Sequence, residues 1–384
     1  MDRPPYARRR ATALAVLLAV IAVPVLLTLG GDGDTGRAAT TPKARPDPAA
    51  AAAVARATRL PIARALGQTL AGTYDGRTPP EDLVRRVQAG QLGGVILFAD
   101  NTAGGVPATR RAVDRLQAAA KAGGNPRLLI MTDQEGGLVK RLPGAPDRAP
   151  AAMMSVTVAR DQGAAAGRLL RRAGVTMDLA PVADVTRVRG SFLQTRSFGT
   201  DPAAVARRAC AFAAGLRAQG VAATLKHFPG LGRARGNTDD RRIAIDDPAA
   251  AIRSDWAPYA RCAGQARTAV MMSSATYPAL VGADTPAVLN VRSYARELPR
   301  AGVPSSTMTI SDDLDAGALA GRTRPAARAL RAGLDLLLFA RAEGSSARAF
   351  RGLLAQVRSG AMPQSRVRDA AAAVLRLKGQ LPSP

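Results

Sequence analysis

One histidine, His227, serves a chain of 384 residues. That scarcity excludes zinc sites built from several imidazoles. A Ser-His-Asp triad would have to use His227, and the sequence holds no G-x-S-x-G elbow to pair with it. Aromatic residues make up only 3%, too few for the stacking platforms of nucleic-acid binders. Lysine is also scarce, five among 54 basic residues, so arginine carries the net charge of +25. Arginine and alanine bias can come from a GC-rich genome. The basic residues are spread along the chain, which suits anionic lipid or a cell-wall polymer better than nucleic acid. Metal-binding patterns are missing. "DDLD" (Asp312, Asp313, Asp315) lacks the spacing and glycine of an EF-hand. "GLGRARG" is no dinucleotide fingerprint, because Arg235 stands where its third glycine belongs. Neither a metal nor a cofactor is therefore expected. Cysteine is limited to Cys210 and Cys262. An even count in an exported protein permits a disulfide, and two buried thiols are the alternative.

Export is indicated at the N-terminus. "RPPYARRR" is followed by about 20 residues without a charge, the pattern of a signal peptide or a membrane anchor over 1–31. The positive-inside rule then puts the remainder outside the cytoplasm, anchored or released by cleavage. No cysteine follows the apolar run, which argues against a lipoprotein. Residues 32–57 are rich in Pro, Gly and Ala and read as a linker. One domain is expected over 58–384, and apolar residues at 47% suffice for its core.

Within that domain a pattern recurs. A helical segment ends at glycine and a short apolar run follows, as in "QAGQLGGVILF", "AQGVAATLKHF" and "RAGLDLLLFA". Continuous apolar strands suit a parallel sheet covered on both faces. Eight strands are predicted, at 68–73, 94–98, 126–133, 177–185, 221–227, 268–274, 307–312 and 335–339. Asp201–Pro202 and Asp247–Pro248 each read as an N-cap followed by proline at the first helical position. Eight β/α units predict a TIM (β/α)8 barrel. A doubly wound open sheet is the alternative, but no Gly-rich turn follows an early strand.

Barrel chemistry sits where strands end. Charged residues follow the apolar runs in "TDQEGGLVKR", "KHFPG" and "TISDDLD". Any one such carboxylate or lysine has ordinary roles as a cap or a solvated charge, but three at one barrel face point to a shared pocket. "DQEGG", "KHFPG.G" and "SDDL", in that order, resemble glycoside hydrolase family 3, above all its single-barrel β-N-acetylglucosaminidases acting on peptidoglycan fragments. "APVADV", "RSFG.DP" and "ATYP" agree, and the resemblance spans about residues 60–375. It implies a carbohydrate substrate and a retaining mechanism with Asp312 as the nucleophile. It also implies that Asp133, Arg141, Arg196, Lys226 and His227 hold the sugar. Glu135 and Asp313 are left as binding or structural residues.

The sequence departs from that family at the proton donor. The family uses a histidine in the loop after "KHFPG.G", with an aspartate two residues earlier. Here Asp239 stands at the histidine and Asn237 at the aspartate. Three outcomes are open. Asp239, or with less support Asp240, serves as acid/base; the enzyme is slow or limited to good leaving groups; or the protein binds sugar without cleaving it.

Overall fold

The computed structural model describes residues 48–382, apart from Ala283. The expected signal or anchor segment lies outside these residues. Among the described residues, no helix is long and apolar enough to cross a membrane.

Eight short strands form the framework: Leu70–Gly72 (β1), Gly94–Leu97 (β2), Leu129–Thr132 (β3), Met177–Asp178 (β4), Ala222–Phe228 (β5), Thr268–Met272 (β6), Met308–Ser311 (β7) and Leu337–Leu338 (β8). Each falls within or overlaps a predicted run. The sheet order is β8-β1-β2-β3-β4-β5-β6-β7 with parallel neighbours. The two ends meet: Ser311 N donates to Leu336 O, and Leu336 N to Thr309 O, each at 3.0 Å. The sheet is thus a closed barrel and not an open one.

Both strand faces are apolar because both are buried. Leu129 and Met131, Ala269 and Met271, Met308 and Ile310, and Leu336 and Leu338 belong to one buried cluster, and their two-residue spacing places each pair on one strand face. The residues between them, such as Ile130, Val270 and Leu337, join a larger cluster with the helices. The main helices are Pro48–Arg59 (α1), Ile62–Gln68 (α2), Glu81–Gln88 (α3), Gly105–Ala122 (α4), Val156–Arg172 (α5), Pro202–Ala218 (α6), Ala249–Arg253 (α7), Ala257–Cys262 (α8), Pro325–Ala332 (α9), Ser345–Arg358 (α10) and Gln364–Gln380 (α11). Val374 and Leu377 of α11, with Leu381 after it, share the cluster of the barrel interior.

Three boundaries differ from expectation. The linker was expected to reach residue 57, but α1 begins at Pro48. Its alanine run has the highest helix propensity, and proline is tolerated in a helix's first turn. Arg368 of α11 fixes its end by donating from Nη1 to the carbonyls of Ala57 (2.8 Å) and Thr58 (2.9 Å). The fourth predicted strand, 177–185, stays in the regular ladder only at Met177–Asp178. Pro181 has no N–H for a ladder, and beyond it a single bridge joins Val182 to Lys226. The Asp201 cap is present, its side chain accepting from Ala204 N at 2.7 Å. Asp247 caps nothing: α7 starts one residue after Pro248, and the Asp247 carboxylate accepts from Arg233 Nη1 instead, at 2.8 Å.

Cys210 of α6 and Cys262 of α8 are joined by a disulfide, with Cα atoms 5.8 Å apart. The bond ties together the helices that flank β5, the strand carrying Lys226 and His227.

Candidate active site

At the strand C-termini lies a cavity of about 370 Å³. Its floor is the top of the barrel interior: Ile96, Leu179, Met271 and Leu338 line it and belong to the interior cluster. Asp133, Arg141, Arg196, Lys226, His227, Asp239 and Asp312 line its walls. Seven residues separated by up to 179 positions (133 to 312) are therefore brought together. Asp240 is not: it is exposed and lines no part of this cavity.

The charged wall starts just past β3. Asp133 accepts from Lys226 Nζ at 2.7 Å. Glu135 is fully buried and faces two cations, Lys226 Nζ at 2.7 Å and the fork of Arg196 at 2.7 and 2.8 Å. Burial alone would raise the Glu135 carboxyl, but Lys226 and Arg196 outweigh it and bring the pKa down to about 2. Burial would likewise lower the Lys226 ammonium, and the carboxylates of Asp133 and Glu135 hold it above its ordinary value. The wall is charged, paired and rigid before any ligand arrives. Glu135 is thus the brace that orients Arg196 and Lys226.

Arg141 comes from a hairpin, Gln134–Gly136 with Val139–Lys140. The Gln134 side chain closes it: Oε1 accepts from Arg141 N and Leu142 N at 3.0 Å, and Nε2 donates to Leu142 O and Ala145 O. Gly136 has φ +101°, and a Cβ there would lie 2.3 Å from Arg148 O, which is why "DQEGG" needs its first glycine. The Arg141 guanidinium stands 5.6 Å from the centre of the Phe98 ring, and its buried Nε has no protein partner among the described residues.

Lys226 and His227 are adjacent in β5 yet both line the cavity. The ladder with β6 shifts register between Leu225 and Phe228, which breaks the usual alternation. Asp184, a buried residue of "APVADV", anchors the segment. It accepts from His227 N (3.2 Å) and Leu231 N (2.6 Å), and its Oδ2 lies 2.8 Å from His227 Nδ1. With Nδ1 engaged, Nε2 is the imidazole atom left to meet a ligand. Behind it, Phe228 packs on Trp256 and Tyr259, and Trp256 Nε1 donates to Pro229 O.

Asp312 directly follows β7. Burial raises its carboxyl above the ordinary value; His227 opposes the rise and the Asp239 carboxylate adds to it. Asp313 turns away into structure, accepting from Asp315 N, Ala340 N and Arg341 Nε at 2.9–3.2 Å. Burial is the chief reason its pKa climbs to about 6.

Opposite stands the loop that carries Asp239. Asp239 and Asn237 bond reciprocally, Asn237 Nδ2 to Asp239 Oδ2 at 3.2 Å and Asp239 N to Asn237 Oδ1 at 3.1 Å. The loop is pinned to the β7 loop, with Gly317 N donating to Asp239 O and Ala318 N to Thr238 O. Arg341 adds a bond to Asp239 O at 2.5 Å and lies 3.5 Å from its Oδ1. Arg233 and Arg242 lie close to Asp239 in the sequence. They are engaged elsewhere: Arg233 with Asp247 and Asp255, Arg242 with Ala320 O. The cation that meets Asp239 comes from the end of β8.

Comparison with known proteins agrees with the barrel fold. The model of the glycosyl hydrolase family 3 N-terminal domain matches residues 66–377. The chain belongs to glycosyl hydrolase family 3. Among its family relatives, the β-hexosaminidase LpqI of Mycobacterium tuberculosis is 32% identical, over 96% of this chain and 97% of LpqI. A secreted glycosyl hydrolase of Arthroderma benhamiae is 35% identical over 75% of this chain and 84% of its own. The solved LpqI structure superposes with a TM-score of 0.77 at 30% identity, covering 86% of this chain and 97% of that one. The β-N-acetylhexosaminidase of Beutenbergia cavernae gives 0.74 at 31% identity, covering 83% and 99%. The chain is thus a glycoside hydrolase by family.

Sequence reasoning missed Asp184, Gln134 and Arg341. Arg341 was the most accessible of these, since it is the first charge after the apolar run "LDLLLFA". Asp184 offered a weaker signal, a carboxylate inside an apolar segment. Gln134 offered none.

Proposed function

We propose that the protein is an exported β-N-acetylhexosaminidase that removes terminal β-linked N-acetylglucosamine from cell-wall fragments with retention of configuration. The single observation that carries this reading is the pairing of two carboxylates, Asp312 and Asp239, in one cavity with a braced wall of Asp133, Arg196 and Lys226. The printed names of LpqI and the Beutenbergia enzyme support the hexosaminidase class. The basic, then apolar, N-terminus supports export, as does the relative named as secreted.

In the first step an Asp312 oxygen attacks the anomeric carbon as the bond to the leaving oxygen breaks. Asp239 gives that oxygen its proton. In the second step Asp239 takes a proton from water, whose oxygen displaces Asp312 from the same carbon. Asp133 accepts hydroxyl hydrogens, and Arg141, Arg196, Lys226 and His227 Nε2 donate to, or pair with, sugar oxygens. Asn237 orients the Asp239 carboxyl.

A second reading is sugar binding without turnover. It is favoured by the contact of Asp239 with Arg341 at 3.5 Å, which turns that carboxylate toward a protein cation and away from a leaving group. Hydrolysis of an aryl β-N-acetylglucosaminide, set against an unactivated disaccharide, separates the two. Turnover of both supports the proposal. Turnover of the aryl glycoside alone removes Asp239 as an effective acid, and turnover of neither with retained sugar binding establishes the second reading.

A further inference from the structure

A second cavity, about 940 Å³, is larger than the one at the strand C-termini. It is an open groove on the outside of the barrel, running from Pro143–Ala145, just past the Arg141 hairpin, to the residues before β5 and β6, where strands begin. Arg168, Arg171 and Arg172 come from the last turns of α5, Arg217 from the last turn of α6, and Arg267 from the residue before β6. Among the described residues, no aspartate, glutamate or aromatic side chain lines it.

None of these five arginines has an ion-pair partner among the described residues. Arg217 Nη1 donates only to Thr268 Oγ1, at 3.2 Å. Arg267 Nη1 reaches Gln380 O at 3.5 Å, and its buried Nε has no partner. The groups also disturb one another: burial and then the charge of Arg267 lower the Arg217 guanidinium below its ordinary value. Arg127, at the rim of an adjoining cavity that shares Arg171, is lowered by burial and then by Arg171. The one carboxylate of that adjoining cavity, Asp114, is already bound to Arg110 at 2.8 Å.

Genome bias and helix dipoles are the ordinary account of such arginines. Cations in a last helical turn are favourable, which covers Arg171, Arg172 and Arg217. It does not cover Arg267, which lies outside any helix and holds φ +57°, a left-handed value uncommon for a non-glycine residue. Arg168, Arg171 and Arg172 are exposed, but Arg217 and Arg267 are half-buried and still face no acid, whereas the half-buried Arg196 and Arg233 are paired.

We propose that this basin is a second binding site, for the phosphate groups of a soluble linear phosphodiester or polyphosphate polymer. A guanidinium fork matches phosphate oxygens, and one phosphate can bridge arginines from two elements, such as Arg217 and Arg267. Five guanidinium groups along one groove are more than a single phosphate can engage, which points to a chain of them. The lack of aromatic lining removes base stacking, so the site reads phosphate and not nucleobases. The site holds the enzyme to a polyanion while leaving the sugar cavity free.

The test is calorimetric titration of the full chain with sodium tripolyphosphate and with inorganic phosphate. Tripolyphosphate should bind at least tenfold more tightly than phosphate, and more weakly as salt rises. Arg171→Gln with Arg267→Gln should cost tenfold or more, as should Arg168→Gln with Arg172→Gln, which avoids the strained position. Turnover of an aryl glycoside should not change in either. A control pair of exposed arginines on α10, Arg351→Gln with Arg358→Gln, should bind as the parent does. Equal losses in the control pair would reduce the effect to net charge and overturn the site. So would undiminished binding in both basin pairs. Binding to anionic phospholipid vesicles, lost in the basin pairs, without tripolyphosphate binding would reject the soluble polymer in favour of a membrane surface.

Discussion

Two cavities of this barrel are lined by cations, and they differ in what faces those cations. At the strand C-termini, Lys226 and Arg196 share Glu135, His227 meets Asp184, and Arg341 meets Asp313 and Asp239. In the outer groove, five arginines stand without a carboxylate among the described residues. The difference teaches how a fixed charge is used. A cation braced by a buried carboxylate is oriented and locally neutralised, which in the proposed function suits it to neutral hydroxyl and acyl oxygens. An unbraced cluster keeps its charge for an anion and offers little geometric discrimination.

The comparison breaks most visibly at Asp312. Asp312→Ala should reduce turnover of any glycoside by several orders of magnitude, since the covalent route is lost. A folded mutant that still binds sugar but keeps full activity would remove Asp312 from the mechanism. A mutant in the arginine basin should leave the same assay untouched.

Next comes Asp239. Asp239→Asn should slow unactivated disaccharides by about 10²–10⁴-fold, and aryl glycosides with good leaving groups far less, because a phenolate departs without a proton. Asp240→Asn should change neither, since Asp240 lies outside the cavity. Equal effects of Asp239→Asn on both substrates would show that no proton passes through it in the first step.

The brace itself is tested by acid. The Glu135 pKa falls on folding from 4.5 to about 2. A depressed carboxyl contributes stability that is fully present above its unfolded pKa and is lost as pH falls toward the folded one. At about 1.4 kcal/mol per unit, this is on the order of 3 kcal/mol. Denaturation followed between pH 5 and pH 2 should therefore show a loss that Glu135→Gln flattens. The substitution should also be costly near neutral pH, by about 3–5 kcal/mol, because Lys226 and Arg196 stay buried with less opposing charge. The unbraced basin should show no counterpart in this acid range.

The smallest effect is expected at Arg196. Arg196→Ala should weaken N-acetylglucosamine binding by about 1.5–3 kcal/mol, the scale of a hydrogen bond from a charged group. Comparable loss toward glucose would mean that Arg196 does not read the acyl group.

Legibility in the sequence followed the strength of local rules. All eight strands were readable because a parallel sheet buried on both faces needs continuous apolar runs, and "GGVILF" or "VAATLKHF" can do little else. Asp201 was readable as a cap because its partner, Ala204 N, is three residues away. Asp247 looked identical and was not a cap, because Arg233, brought near by the fold, competed for it. A positional rule marked Asp133 and Asp312, which follow strands, and Lys226 and His227 at the end of β5, and all four line the cavity. Arg141 and Arg196 came through family resemblance, since nothing local marks them.

The sequence by itself determined the repeating β/α pattern, the charge excess and the presence of a single histidine. Each depends only on residue identity and short-range order. Tertiary structure alone decided which charges meet. It set Arg341 and not the neighbouring arginines against Asp239, and it buried Glu135 between Lys226 and Arg196. It also left Arg171, Arg217 and Arg267 together without an acid. The physical reason is that Coulomb energy depends on distance and burial in space, and ring closure brings together groups separated by dozens to hundreds of residues.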